Sequence, residues 1–221
     1  MTAFSDYDVT QTNFIFNKDL STAQNEIMQK LFVKDMTAEI ESLQNRKDHL
    51  LLDSYKWILD NKDYRDFADW HHGNTKRLLW IKGDAGKGKT MLLIGIVQEL
   101  TDQLETHFDK PHLSYFFCQG TDVNLNTATA VLRGLIWMLL RQEKSLIRHL
   151  DMFKDSGSKL FEDRNAFYNL KRIFQNMLED GVLSRAYLLI NALDECRNEE
   201  PGLPQLLQLI SEVSEIHSKV K

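Results

Sequence analysis

The sequence predicts an α/β chain: a parallel sheet of the P-loop NTPase type flanked by helices, truncated at the C-terminus, with a helical N-terminal extension. Three observations predict it. Short apolar strands alternate with helical patterns over most of the chain, the order that builds a parallel sheet covered on both faces. A glycine-rich stretch lies between the first of these strands and the first long helix. A later apolar strand ends in a group of polar and acidic side chains, and strand carboxyl ends in such sheets face the ligand crevice.

Residues 1–20 are rich in Thr, Asn, Asp and Ser and lack a helical period, which predicts a flexible N-terminal arm. Within it, residues 10–16 are uncharged, β-prone and free of Pro, a composition suited to self-association. Residues 21–73 read as a helical extension. Ile27, Met28, Leu31 and Phe32, then Ile40 and Leu43, then Leu51, Leu52, Tyr55, Ile58 and Leu59, and finally Tyr64, Phe67 and Trp70 recur at helical spacing. Residues 74–221 read as an incomplete P-loop core. Residues 77–82 predict a first buried strand, 113–118 a second and 185–190 a third. Between and after them the apolar spacing predicts helices through Leu92, Ile96 and Leu100, through Val131, Leu135 and Leu139, through Phe167, Leu170 and Phe174, and through Leu206, Ile210 and Val213.

Composition narrows the function. Lys plus Arg number 27 against 32 Asp plus Glu, so no strong positive field would draw the chain to nucleic acid. Asp6, Asp8 and Asp19 stand where a secretory leader would need a basic cluster and an apolar run. No apolar stretch approaches the ~20 residues that span a bilayer, so no transmembrane segment and a cytoplasmic location are expected. Cys118 and Cys196 are too few for a disulfide framework and are expected as reduced thiols.

Gly83, Asp84, Ala85, Gly86, Lys87, Gly88, Lys89 and Thr90 fit the pattern G-x-x-x-x-G-K-[ST] at every fixed position. The glycines let the backbone curl so that successive N–H groups point at phosphate oxygens. Lys89 would carry charge to the β- and γ-phosphates, Thr90 would set its hydroxyl on Mg2+, and the following helix adds its dipole. The expected ligand is ATP or ADP with Mg2+, GTP remaining open.

Asn191, Asp194 and Glu195 end the later strand. A P-loop enzyme places Asp at such a tip to hold the metal, and here the position falls on Asn191, which keeps the reach of Asp and loses its charge. Glu195 is the candidate to orient an attacking water and Asp194 to help hold Mg2+ through water, giving Thr90, Asn191 and Asp194 as the metal set. Adjacent His71 and His72 are poorly spaced for a metal. Trp80 and Trp137 read as core, and Arg133 and Arg141 as a solvated helix face.

These motifs resemble the NACHT nucleotide-binding domains of fungal NOD-like receptors, related to the vegetative (heterokaryon) incompatibility proteins. The resemblance runs through residues 52–59, 78–93, 115–119, 131–136 and 192–196 and covers the chain from about Leu31 onward. It implies a STAND-type NTPase switch, held closed by ADP and released by ATP to form a homo-oligomer within a full-length receptor. Residues 83–90 match that family's Walker A motif, and Asn191, Asp194 and Glu195 its extended Walker B motif. The family carries Asp at the position of Asn191, so slow hydrolysis is expected. It also continues into a strand with a sensor Arg and further modules.

Overall fold

The computed structural model describes residues 21–46, 55–70, 75–106, 110–156 and 165–221. The N-terminal arm, including residues 10–16, lies outside the described residues, as do Leu51, Leu52, His71 and His72.

Local chemistry sets the helix starts. Ser21 opens α1 (Thr22–Leu31) with a capping box: its Oγ accepts the Gln24 N–H at 3.2 Å while Gln24 Oε1 accepts the Ser21 N–H at 3.0 Å. Asp35 Oδ1 accepts from the N–H groups of Thr37 and Ala38 at the start of α2 (Met36–Arg46). After a short 3-10 turn at Lys56–Ile58, Asn61 caps α3 (Lys62–Ala68) through the N–H groups of Asp63 and Tyr64. The glycine-rich loop then runs directly into α4 (Lys89–Thr106).

β1 (His112–Phe117) follows, then α5 (Ala128–Gln142), capped by Thr127. A 3-10 stretch, Lys144–Ser156, leads toward α6 (Ala166–Glu179). β2 (Ala186–Asn191) pairs in parallel with β1, in register from His112 opposite Ala186 to Phe117 opposite Asn191. A 3-10 turn, Leu193–Glu195, and α7 (Leu203–Ile216) complete the helical order. On the β2 edge away from β1, the last residues begin a further parallel pairing. Ala186 N–H donates to Lys219 O at 2.9 Å and Leu188 N–H to Lys221 O at 2.7 Å.

Two expectations need correction. Residues 77–82 were expected to form a buried strand, yet the two-stranded sheet is β1 and β2, and residues 75–84 join no ladder among the described residues. An apolar run shows that a segment can be extended; it does not supply a neighbour to hydrogen bond. Exposure alternates along the segment: Leu79 and Ile81 pack on the core, whereas Leu78 is 51% and Trp80 47% exposed. Trp80 is therefore not a core residue. Trp137 does pack on the core, with Phe32 at 5.2 Å.

The second correction concerns α5. Arg133 is no solvated helix residue: its guanidinium donates to Lys30 O and to Phe32 O, the carbonyls that end α1. Arg141 is exposed, as expected of a solvated helix face, and lies over the Trp137 ring at 4.8 Å.

A single hydrophobic cluster takes in both strands, the inner faces of α4 to α7, and Ile27, Leu31, Ile40, Ile58, Tyr64 and Phe67 from the N-terminal helices. None of the described helices is long and apolar enough to cross a membrane.

Candidate functional site

The loop geometry starts from two glycines. Gly86 and Gly88 have φ of +76° and +82°, a region that side-chain-bearing L-residues rarely adopt. A Cβ at either position would meet no atom within 4 Å, so glycine is required there by conformation and not by crowding. The loop is exposed from Gly83 to Gly88 and open on its outer side.

Lys89 is the first residue of α4, and its side chain folds back across the loop. Nζ donates to Gly83 O at 2.6 Å and to Asp84 O at 3.0 Å, so the ammonium lies within the curl of the loop. Leu92 N–H donates to Gly88 O at 2.9 Å, which locks the loop onto the first helical turn. The N-terminal dipole of this 18-residue helix therefore points out where the glycines curl.

β2 brings Asn191 to the same place. This residue is 7% exposed, and its Nδ2 donates to Thr90 Oγ1 at 3.3 Å. Strand tip and loop helix thus meet in one pair, and the structure brings together Gly83, Asp84, Lys89, Thr90 and Asn191.

Past Asn191 the chain turns sharply. Ala192 takes the left-handed conformation at φ 52°, ψ 49°, a placement that costs a residue with a Cβ about 1–2 kcal/mol. The turn sets Asp194 and Glu195 on the surface. Glu195 Oε2 accepts the Gly120 N–H at 2.7 Å, a contact to the loop after β1 and not to the glycine-rich loop. Asp194 has no side-chain hydrogen bond or ion pair among the described residues. Sequence reasoning did not anticipate Gly120 or its neighbour Asn126, whose Nδ2 donates to Gly120 O at 3.0 Å.

Both thiols are buried and free. Burial, with the neighbouring Cys196 as a smaller cause, pushes the Cys118 thiol up to about 12, and burial raises Cys196 as well. Neither is a nucleophile at neutral pH. No cluster of three or more His, Cys, Asp or Glu able to hold a metal occurs among the described residues.

Parallel strands, covering helices and a lysine-bearing glycine loop at a helix start define the class: an α/β chain of P-loop-like fold. The chain belongs to the family described as nephrocystin 3, N-terminal, whose model matches residues 53–221. It is also 45% identical over 192 residues to the vegetative incompatibility protein HET-E-1 of Podospora anserina. That alignment covers 86% of this chain and 13% of the relative, so the chain spans a small part of the relative's length. No solved structure matches. Together these matches bear out the fungal NACHT resemblance drawn from the motifs.

Proposed function

We propose that the chain is the nucleotide-binding NACHT module of a STAND signal-transduction NTPase, an ADP/ATP-controlled switch in fungal non-self recognition or programmed cell death. One observation carries the reading: the Lys89 ammonium is folded over the Gly83 and Asp84 carbonyls, just after two glycines at positive φ, at the start of a long helix. An ammonium held by carbonyl oxygens at a helix N-terminus is an arrangement that a phosphate completes.

In this reading Gly83, Asp84, Ala85, Gly86, Lys87 and Gly88 supply main-chain donors, and Lys89 swings from the carbonyls to the β- and γ-phosphates. Thr90 and Asn191 offer neutral oxygens that fit Mg2+ alongside phosphate and water, with Asp194 acting through water. Bound Mg2+ would neutralise charge on the β- and γ-oxygens. Glu195 would accept a hydrogen bond from the attacking water. Within a full-length cytoplasmic receptor, exchange of ADP for ATP would favour homo-oligomerisation. The second reading is a nucleotide-dependent interaction module with little or no hydrolysis. It is favoured by the amide of Asn191, which brings no negative charge to the metal side of Thr90.

Thermal shift with ATP, ADP and GTP, each with and without Mg2+, tests binding. A ligand at ~100 times its Kd adds ~2.7 kcal/mol, a clear rise in Tm. Lys89→Ala should melt like the parent without nucleotide and lose the rise, because this side chain touches loop carbonyls and not the core. A folded Lys89→Ala protein with undiminished ATP affinity would sink the phosphate assignment. Hydrolysis separates the two readings: Asn191→Asp should speed phosphate release or lower the Mg2+ concentration it requires, as a carboxylate strengthens metal retention. Brisk release by the parent, unaltered by this substitution, would place the metal chemistry elsewhere.

A further inference from the structure

Glu195 is exposed, yet its carboxylate is not left to its own rotamers. One oxygen, Oε2, accepts the Gly120 N–H at 2.7 Å. Gly120 is itself held, since its carbonyl accepts from Asn126 Nδ2 at 3.0 Å. Asn126 reaches the other flank of Glu195 too: its main-chain carbonyl accepts the Arg197 N–H at 2.8 Å. These bonds close a ring from Asn126 to Gly120 to Glu195 and back through Arg197.

The ring has a rigid base. Residues 119–125 bond to one another, with Asp122 N–H to Gln119 O at 3.0 Å, Leu125 N–H to Asp122 O at 2.9 Å and Asn124 N–H to Asp122 Oδ1 at 2.9 Å. Leu125 is fully buried and Asn126 is 2% exposed. Asn126 Oδ1 is buried with no hydrogen-bond partner. A leucine of similar volume would fill this space without an orphaned acceptor, so what the amide contributes here is its bond to Gly120.

We propose that Asn126, acting through the Gly120 N–H, is the positioning residue that aims Glu195 at the attacking water. With Oε2 pinned, Oε1 remains to accept from water, and the side chain is confined to the rotamers compatible with that bond. The inference rests on the reading of Glu195 as the water-orienting group.

The test is single-turnover release of labelled phosphate from ATP with Mg2+. It compares the parent with Glu195→Gln, Asn126→Leu, Gly120→Pro and Gly120→Ala. Asn126→Leu and Gly120→Pro should slow release about tenfold, a fraction of what a general base contributes. ATP affinity should stay at the parent value. Gly120→Ala keeps the N–H, and its Cβ would sit 3.6 Å from Glu195 Oε2, an ordinary contact, so it should stay within about twofold of the parent. A second readout does not depend on turnover. The Gly120 amide proton resonance should move upfield in Glu195→Gln, which replaces a charged acceptor by a neutral one. Parent-like rates in Asn126→Leu and Gly120→Pro, or an unmoved Gly120 resonance, would overturn the positioning role alone. Release that is absent, or that Glu195→Gln leaves intact, would overturn the catalytic reading of Glu195 and the positioning role with it.

Discussion

At the scale of single residues, Asp180 shows how much one carboxylate can gather. It ends α6 with its side chain almost wholly covered. Oδ2 accepts from Arg148 Nε at 3.0 Å and lies 2.6 Å from His149 Nε2, while Oδ1 accepts the Val182 N–H at 3.1 Å. Lys219 Nζ donates to its carbonyl at 2.5 Å. The Arg148 bond, helped by the Val182 N–H and His149, holds the carboxyl well below the usual carboxylate range. A folded pKa below the unfolded one means that the stabilisation is present above the ordinary carboxylate value, about 4, and is lost as the pH falls below it. Asp180→Asn should therefore lower Tm at pH 7, and the gap to the parent should narrow as acid is added below about pH 4. Melting curves between neutral and acid pH check this; a gap that stayed constant would mean that Asp180 acts through shape alone. None of its partners was legible in the sequence, and neither was the bond from Gly120 to Glu195, whose members stand 75 positions apart. The glycine-rich loop was legible because its geometry is local: positive φ at Gly86 and Gly88 and a lysine at the helix start are set by adjacent residues.

At the scale of elements, helix and strand types followed the periodic patterns except at residues 77–82, and pairing did not follow them. β1 and β2 lie close to the expected runs because an apolar stretch buried on both faces reads the same in sequence and in structure. Residues 77–82 have an equally apolar composition, yet no ladder partner among the described residues. Close approach of elements was also hidden, since a glycine's reason lies in its neighbour. Gly134 on α5 faces Phe116 of β1, and a Cβ there would sit 2.4 Å from the ring, which is itself fully buried. Gly134→Ala forces helix and strand apart, an overpacking cost of about 1–3 kcal/mol. Tm should fall by roughly 2–4 °C for each kcal/mol in a chain of this size. Adding Phe116→Leu should recover part of the loss, because the smaller side chain vacates the contact. A double variant no more stable than Gly134→Ala would show that the strain lies outside this pair.

At the scale of the whole molecule, the N-terminal helices and the sheet are held together by more than shared apolar surface. Tyr55 lays its ring on Gly95 of α4, where a Cβ would come within 2.1 Å. Tyr115 of β1 shares a hydrogen bond with Thr37 at 3.2 Å, and Gln119 donates to Glu39, which also pairs with Lys34 and is almost wholly buried. Tyr187 of β2 donates to Ala68 O at 2.7 Å, closing the end of α3. Lys221 reaches the same helix end, donating to Phe67 O at 2.5 Å with its ammonium 4.8 Å from the centre of the Trp70 ring. Removing residues 21–73 would uncover apolar surface on both strands and α4. It would also take the α1 carbonyls away from the half-buried Arg133 guanidinium, a charge that is costly to leave with fewer acceptors. A fragment beginning near residue 74 should therefore express poorly or aggregate, and any soluble fraction should lose the single cooperative unfolding transition of the parent. Size-exclusion chromatography and urea unfolding of the fragment beside the parent chain provide the measurement. A monomeric fragment with one sharp transition would mean that the sheet, its covering helices and the glycine-rich loop form a unit complete without α1 to α3, and that those helices dock on it as a separable part.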